Sequence, residues 1–124
     1  MKFLCLSYID ESKFEILSES ERDSFGKECS AYDDTLRKRG HFIRLDALDS
    51  APNAKTLRYR NGEVFIVDGP FAETKEQIGG ILLLEAHDLN QATELMAKHP
   101  GIRVATFEIR ALDEESMAKV NPVG

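Results

Sequence analysis

The sequence has no apolar run close to the roughly 20 residues that a membrane-spanning helix needs. Basic residues are also rarely clustered: Arg37-Lys38-Arg39 is the only basic run, and the formal net charge is −6. Binding nucleic acid requires a concentrated positive surface, so this charge balance argues against such a partner. The basic run falls where a helix is expected to end, and cations there complement the helix dipole. We therefore expect neither a membrane nor a nucleic acid as partner.

Cysteine and histidine are equally scarce, with two and three residues, and neither forms a metal-binding pattern. No Cys-x-x-Cys spacing occurs, and Cys5 and Cys29 both fall at apolar positions, which predicts buried thiols in a reducing compartment. His87 and His99 bracket a predicted helix and would lie about 18 Å apart, too far to share a metal. The sequence therefore predicts a cytoplasmic protein with no metal site and no cofactor.

The length of 124 residues suits one domain, with residues 113–124 as a peripheral tail,. The apolar start of the chain is too short for a secretion signal, and it predicts a first strand over residues 2–9. Ser18 and Glu21 form a capping box that begins a helix, and Gly40 ends it. A second helix begins at Asp88 and ends near His99, whose charge would complement the helix dipole.

Five further strand segments complete the chain. Asn61-Gly62 between two β-patterned runs predicts a hairpin, because both residues tolerate the positive φ of a tight turn. An unbroken apolar run predicts a central strand buried on both faces. The predicted segments are residues 41–47, 55–59, 63–67, 80–86 and 103–110.

This order predicts an α+β fold, a ferredoxin-like βαββαβ arrangement with an added hairpin. Right-handed crossovers place both helices on one face of a single antiparallel sheet. Residues 2–9, 63–67 and 80–86 nevertheless carry large apolar side chains on both strand faces. A bare apolar face of that size is unusual on a monomer, so we expect a twofold mate to cover it. The expected assembly is a homodimer that closes a dimeric α/β-barrel.

The segment VDGPFAETKEQIGG, residues 67–80, resembles the DGPF branch of the YCII-related family. Leu6-Ser7-Tyr8, Gly40-His41 and Asp88-Leu89 are similar to the same branch, so the resemblance covers nearly the whole chain. It implies a dimeric α/β-barrel, and gene neighbourhoods in the branch imply an association with extracytoplasmic-function sigma factors. Relatives in the wider fold include small isomerases and a dehydrochlorinase.

The resemblance also implies a catalytic pair. Family relatives are proposed to use a histidine on the first helix together with an aspartate. Residues 18–39 contain no histidine, so the chain departs from that pattern. A replacement base would have to be His41, because an imidazole titrates near the pH at which proton transfer is needed.

The motif segment carries more polar groups than its turn requires. Phe71 is expected to plug the core beneath it, since it is the one large apolar residue in the corner. The polar residues could line a ligand cleft or form a solvated rim, and the sequence leaves both open. The candidate ligand-binding residues are Tyr8, His41, Asp68, Glu73, Thr74, Lys75 and Glu76.

Two functions follow as alternatives. The first is a small-ligand-binding or regulatory protein, associated with a sigma factor. The second is a cofactor-free isomerase or lyase that acts on a small organic molecule. A deep cleft that contains a histidine and a carboxylate would favour the enzyme, and a shallow cleft with rim carboxylates would favour the binding protein.

Dimerisation is directly testable. Light scattering at micromolar concentration should give about twice the chain mass of 14.0 kDa, because an apolar sheet face makes a large interface. A clean monomer over that concentration range would contradict the expected pairing of sheets.

Overall fold

The computed structural model describes residues 1–120, which form six β-strands, four α-helices and two short 3₁₀ turns. The 3₁₀ turns are Ala51–Asn53 and Pro100–Arg103. In chain order the other elements are β1 (Lys2–Ile9), α1 (Glu11–Glu15), α2 (Glu19–Lys38), β2 (Phe42–Ala47), β3 (Lys55–Arg60), β4 (Glu63–Asp68), β5 (Gln77–Glu85), α3 (Leu89–Ala97), β6 (Ala105–Ala111) and α4 (Glu114–Val120).

The main sheet has four strands in the order β2-β5-β1-β6, and every neighbouring pair is antiparallel. Cys5 on β1 lies opposite Leu82 on one side and Ile109 on the other. Residues of α2 and α3 pack against the same face of this sheet, in one core. The predicted ferredoxin-like order, with both long helices on one face, is confirmed.

Local capping explains where the helices begin. The Ser18 side chain accepts a hydrogen bond from the Glu21 amide, and the Glu21 side chain accepts one from the Ser18 amide, as the sequence predicts. Asp88 accepts a hydrogen bond from the Gln91 amide at 2.8 Å. The short helix α1, which the sequence analysis treats as loop, begins in the same way at Asp10.

The predicted hairpin forms, but it stands apart from the main sheet. Strands β3 and β4 pair only with each other, and Asn61 and Gly62 at the tip both have positive φ. Side chains on both of its faces are exposed, including Leu57 at 64% and Ile66 at 66%.

The covered face of the sheet is divided by side-chain size. At one end, large residues fill the space against α2 and α3, and Phe3, Leu36 and Leu84 are fully buried. Toward the other end the facing residues become small, with Ser7 opposite Gly80. Helix α2, with 20 residues, is about 30 Å long and reaches over both ends,. The covered face therefore holds a packed core at one end and an open space at the other.

The opposite face of the sheet carries Leu4, Leu6, Ile81 and Leu83, which alternate along the strands with the core residues,. All four side chains stay partly exposed in the single chain. This is the apolar face that the predicted dimer would cover, and dimer formation stays a prediction.

Two expectations are corrected or limited by the structure. Phe71 does not plug the core: it is 73% exposed, because the loop after β4 runs over the surface. Its ring stacks instead against the Arg58 guanidinium, 4.7 Å from the ring centre. The predicted tail forms α4, while residues 121–124 of that tail lie outside the described part of the chain.

The two phenylalanines make a matched stability test. Phe3→Ala should lower the free energy of unfolding by about 3–5 kcal/mol, because it removes a fully buried ring from the core. Phe71→Ala should lower it by about 1 kcal/mol or less, since only an exposed stacking contact is lost. Chemical denaturation of both variants at one protein concentration measures the difference, and equal losses would contradict the assigned core.

Candidate functional site

A cleft of about 410 Å³ occupies the open space between α2 and the small-residue end of the sheet. We call it the inner cleft. Aromatic rings of Phe14, Phe25 and Phe107 contribute to walls that are mostly apolar. Small-molecule sites in proteins have similar lining and volumes of about 300–1,000 Å³.

Two glycines lie at the small-residue end of the inner cleft. A Cβ atom on Gly79 would lie 2.5 Å from the end of the Ile9 side chain, and one on Gly80 would lie 3.3 Å from the Asp46 carbonyl oxygen. The pairing of β1 and β5 shifts at this point, between Ser7 and Tyr8. A side chain at Gly80 would therefore crowd the backbone of β2, whereas one at Gly79 would displace the end of the Ile9 side chain.

One polar contact crosses the wall of the inner cleft. The Nε2 atom of His99 lies 2.8 Å from Oδ1 of Asp33, although the two residues are 66 positions apart in the chain. Both residues are only 8% exposed. The contact joins the middle of α2 to the turn that follows α3, and both side chains line the cleft.

The backbone fixes which ring nitrogen of His99 carries the proton. His99 is the N-cap of the turn Pro100–Arg103, and its Nδ1 accepts a hydrogen bond from the Gly101 amide at 2.9 Å. Because Nδ1 accepts, the proton of the neutral ring is on Nε2, which donates to Asp33. Tyr32 and Phe107 hold the ring edge-to-face, with centroid distances of 5.2 and 5.8 Å.

Only one of the two carboxylate oxygens of Asp33 has a hydrogen-bond partner among residues 1–120. Its Oδ1 accepts the hydrogen bond from His99, and no other hydrogen bond to its side chain occurs among residues 1–120. No fully buried side-chain oxygen in that part of the chain lacks a partner. The second oxygen, Oδ2, has no partner among these residues and is therefore not fully buried, at a residue that lines the inner cleft.

The two thiols that line the inner cleft stay protonated. Burial raises the pKa of the Cys5 thiol to about 11. Burial also raises the pKa of Cys29, and the nearby Asp33 carboxylate raises it further. A thiol is a weak nucleophile compared with a thiolate, so acid–base chemistry in this cleft rests on Asp33 and His99.

The structure does not bring His41 to the motif loop. His41 donates a hydrogen bond from Nδ1 to the Glu85 carbonyl oxygen at 2.8 Å, and Glu85 pairs with Lys2 at the start of β1. Tyr8 lies six residues further along β1, about 20 Å away. His41 is therefore at the opposite end of the sheet from Tyr8 and the loop.

The other predicted residues divide between two neighbouring clefts and the hairpin. Tyr8, Thr74 and Glu76 line a cleft of about 530 Å³ beside Phe71, which we call the motif-loop cleft. In it the Tyr8 hydroxyl donates to Glu108 at 2.9 Å, and this hydrogen bond raises the pKa of Tyr8.

The remaining three predicted residues lie outside the motif-loop cleft. Glu73 and Lys75 line an adjoining cleft of about 330 Å³. Asp68 forms an exposed ion pair with Lys55 on the hairpin.

Sequence reasoning missed the Asp33–His99 pair and placed His99 at a helix end for its charge. Two signals for the pair were present. Asp33 falls four residues after Cys29 on the apolar stripe of its helix, where a carboxylate is out of place,. The sequence His99-Pro100-Gly101 places the histidine before a proline, which donates no hydrogen bond, and a glycine, which does.

Residues 1–120 contain no group of three or more His, Cys, Asp or Glu side chains arranged to hold a metal ion. Their helices include none with the length and apolar character needed to cross a membrane.

Comparison with solved structures shows the fold. The 5-chloro-2-hydroxyhydroquinone dehydrochlorinase from Burkholderia phenoliruptrix AC1100, solved in complex with 2,5-dihydroxybenzoquinone, is similar with a TM-score of 0.53. The likeness covers 91% of this chain and 94% of that chain, at 14% sequence identity. That identity is low enough for the likeness to concern the fold alone.

Comparison with sequences shows the family. An uncharacterized protein of Rhizobium meliloti (strain 1021) is 32% identical over 114 residues, which are 90% of this chain and 92% of the relative. The family described as YCII-related domain matches residues 1–116. The narrower DGPF branch stays a prediction, and the chain belongs to the YCII-related domain family.

Proposed function

We propose that this protein binds a small, mostly apolar molecule in the inner cleft and catalyses a proton transfer on it with the Asp33–His99 pair. The observation that carries the proposal is a buried, oriented carboxylate with one unpaired oxygen at a mostly apolar cleft. A general base must lie within hydrogen-bond reach of its substrate, and a dry environment strengthens that contact. No cofactor is required for such a step.

Burial of the pair is hard to explain by stability alone. A carboxylate removed from water loses its hydration, and a single hydrogen bond from His99 offsets only part of that loss. An apolar residue at position 33 would continue the stripe of α2 and pack in the same space. The presence of a carboxylate at position 33 therefore supports a role in proton transfer over a role in packing alone.

Of the two alternative functions, binding protein and enzyme, the chemistry of the cleft favours the enzyme, a cofactor-free isomerase or lyase. Both reaction classes need only a base that removes a proton and later returns or releases it. The structural neighbour is named for a reaction on a chlorinated hydroxyhydroquinone, and its bound compound is a dihydroxybenzoquinone. Both are small rings, which agrees with the volume of the inner cleft, and we use them as a guide to ligand size.

The motif-loop cleft supports a second proposal, a binding or regulatory role. Tyr8, Thr74 and Glu76 share this cleft with the exposed Phe71 ring. The partly exposed outer sheet face and the exposed hairpin support a homodimer beside it. Association with a sigma factor stays a prediction from the resemblance.

Ligand binding can be localised by NMR. We expect small uncharged ring compounds, titrated into isotope-labelled protein, to shift amide signals around Asp33, Gly80 and Gly101. Ala105→Leu should weaken this binding at least about tenfold, because its larger side chain enters the cleft. Ala111→Leu is the control on the same strand, outside the cleft. Shifts confined to residues 70–78 would favour the motif-loop cleft and contradict this proposal.

Proton transfer can be measured without knowing the natural reaction. Small cyclic ketones and enols that bind should exchange their acidic C–H protons for deuterium faster when the protein is present in D₂O. Asp33→Asn should slow this exchange about 10²–10⁴-fold, the usual contribution of a positioned base. Proton NMR of the compounds follows the loss of signal.

The neighbouring residue gives a matched control for this measurement. Asp34 is exposed and pairs with Arg37, so Asp34→Asn should leave the exchange rate unchanged. If compounds bind in the inner cleft but their proton exchange is not accelerated, the result would support ligand binding alone and contradict the proposed catalysis.

A further inference from the structure

We propose that the atom of the pair that meets the ligand is Oδ2 of Asp33 and that the site selects neutral molecules with an O–H donor. His99 is then a positioning residue, held behind the carboxylate. This assignment rests on the function proposed above and names the ligand class of the same cleft.

Both nitrogens of His99 are already occupied. Nδ1 accepts the Gly101 amide hydrogen bond at 2.9 Å, and Nε2 donates to Asp33 at 2.8 Å. An imidazole that takes a substrate proton needs a nitrogen with a free lone pair. His99 offers none without giving up the Gly101 contact, and its ring is fixed between Tyr32 and Phe107.

Asp33, unlike His99, keeps one polar atom without a hydrogen-bond partner among residues 1–120. Its Oδ2 has no hydrogen-bond partner among residues 1–120, while its Oδ1 is held by His99. The hydrogen bond from His99 orients the carboxylate so that Oδ2 remains for a ligand. A carboxylate oxygen only accepts hydrogen bonds, so the matching ligand group must be a donor.

The charge of the cleft excludes anionic ligands. Residues that line it include Asp33 and Asp46 but neither lysine nor arginine. Burial raises the pKa of Cys29, and the Asp33 carboxylate one helical turn away raises it further, more than Arg103 lowers it. A carboxylate or phosphate brought into this cleft would lose its hydration and meet a like charge.

The small number of acceptors disfavours an ammonium ligand. An ammonium group carries three N–H donors, and each one left without a partner in an apolar cleft is unfavourable. Among the charged side chains of the lining, Asp46 is already paired with Arg44 at 2.6 Å. A neutral molecule with one hydroxyl donor needs a single acceptor, and Oδ2 of Asp33 supplies it.

The proton transfer balances with these groups alone. The O–H or acidic C–H bond of the ligand breaks, its electron pair stays on the ligand, and the proton goes to Oδ2 of Asp33. The carboxylic acid is then neutral, the negative charge is on the ligand, and His99 keeps its Nε2 proton throughout. When the proton returns to the same or another atom of the ligand, Asp33 is a carboxylate again and the site is ready for the next ligand.

Four probes of matched shape test the selection. They are 4-methylphenol with one donor, 4-methylanisole with the donor methylated, 4-methylbenzoate as anion and 4-methylbenzylamine as cation. Affinities are measured by NMR titration of the full chain. Wild type should bind 4-methylphenol at least about tenfold more tightly than each of the other three, the difference expected for a hydrogen bond to a charged group.

Substitution should abolish this ranking. In Asp33→Asn the preference for 4-methylphenol over 4-methylanisole should fall below about threefold, and 4-methylbenzoate should gain affinity. Asp34→Asn should keep the wild-type ranking. Equal ranking in wild type and Asp33→Asn, or tightest binding of the anion or the amine to wild type, would overturn the assignment.

The role of His99 has its own spectroscopic test. Imidazole ¹⁵N shifts should report a proton on Nε2 and none on Nδ1, both before and after 4-methylphenol is added. A ring that becomes protonated at both nitrogens on binding would make His99 the proton acceptor and overturn its role as positioning residue. This measurement uses wild-type protein, so it does not depend on the folding of any variant.

Failure of the two proposals can be told apart. If none of the four probes shifts the amides around the inner cleft, the proposed function fails together with this inference. If the probes bind there with a different ranking, or if the His99 signature changes, the cleft remains the ligand site and only the assignment to Asp33 is overturned.

Discussion

The hydrogen-bonded chain from the Gly101 amide through His99 to Asp33 ties the site to the fold. One end is a backbone donor left over at the start of a 3₁₀ turn, and the other is a carboxylate on a long helix. Because a backbone group fixes the tautomer, the orientation of the carboxylate follows from secondary structure and needs no further polar residue. Tyr32 and Phe107 pack around the His99 ring and shield these hydrogen bonds from water.

The same sheet face performs two tasks because residue size changes along it. Phe3, Leu84 and Leu36 supply a close-packed end that holds α2 in place. Ser7, Gly79 and Gly80 carry little or no side chain at the other end, where α2 lies over the inner cleft. The close-packed end therefore holds α2, and with it the Asp33 carboxylate, in a fixed position beside the inner cleft.

Sequence patterns predicted the fold well because its signals are local. The capping box at Ser18 and the turn at Asn61-Gly62 are determined by residues close together in the chain. The candidate site was less accessible, since Asp33 and His99 meet across 66 positions and only the folded chain brings them together. Phe71 shows the same limit, because an apolar residue in a tight corner has no local signal that separates the core from the surface.

The isolated hairpin has a consequence for the behaviour of the chain in concentrated solution. Residues 64–67 form an apolar run of three β-branched residues and Phe65 with exposed side chains, and within residues 1–120 strands β3 and β4 each have one edge without a partner strand. Such segments start intermolecular β-pairing and aggregation. Charged residues flank the run: Glu63 stands at one end, and Asp68, which is paired with Lys55, stands at the other. Such flanking charges oppose the stacking of like strands. Charge at the ends of this hairpin strand, outside the inner cleft, therefore opposes aggregation of the chain.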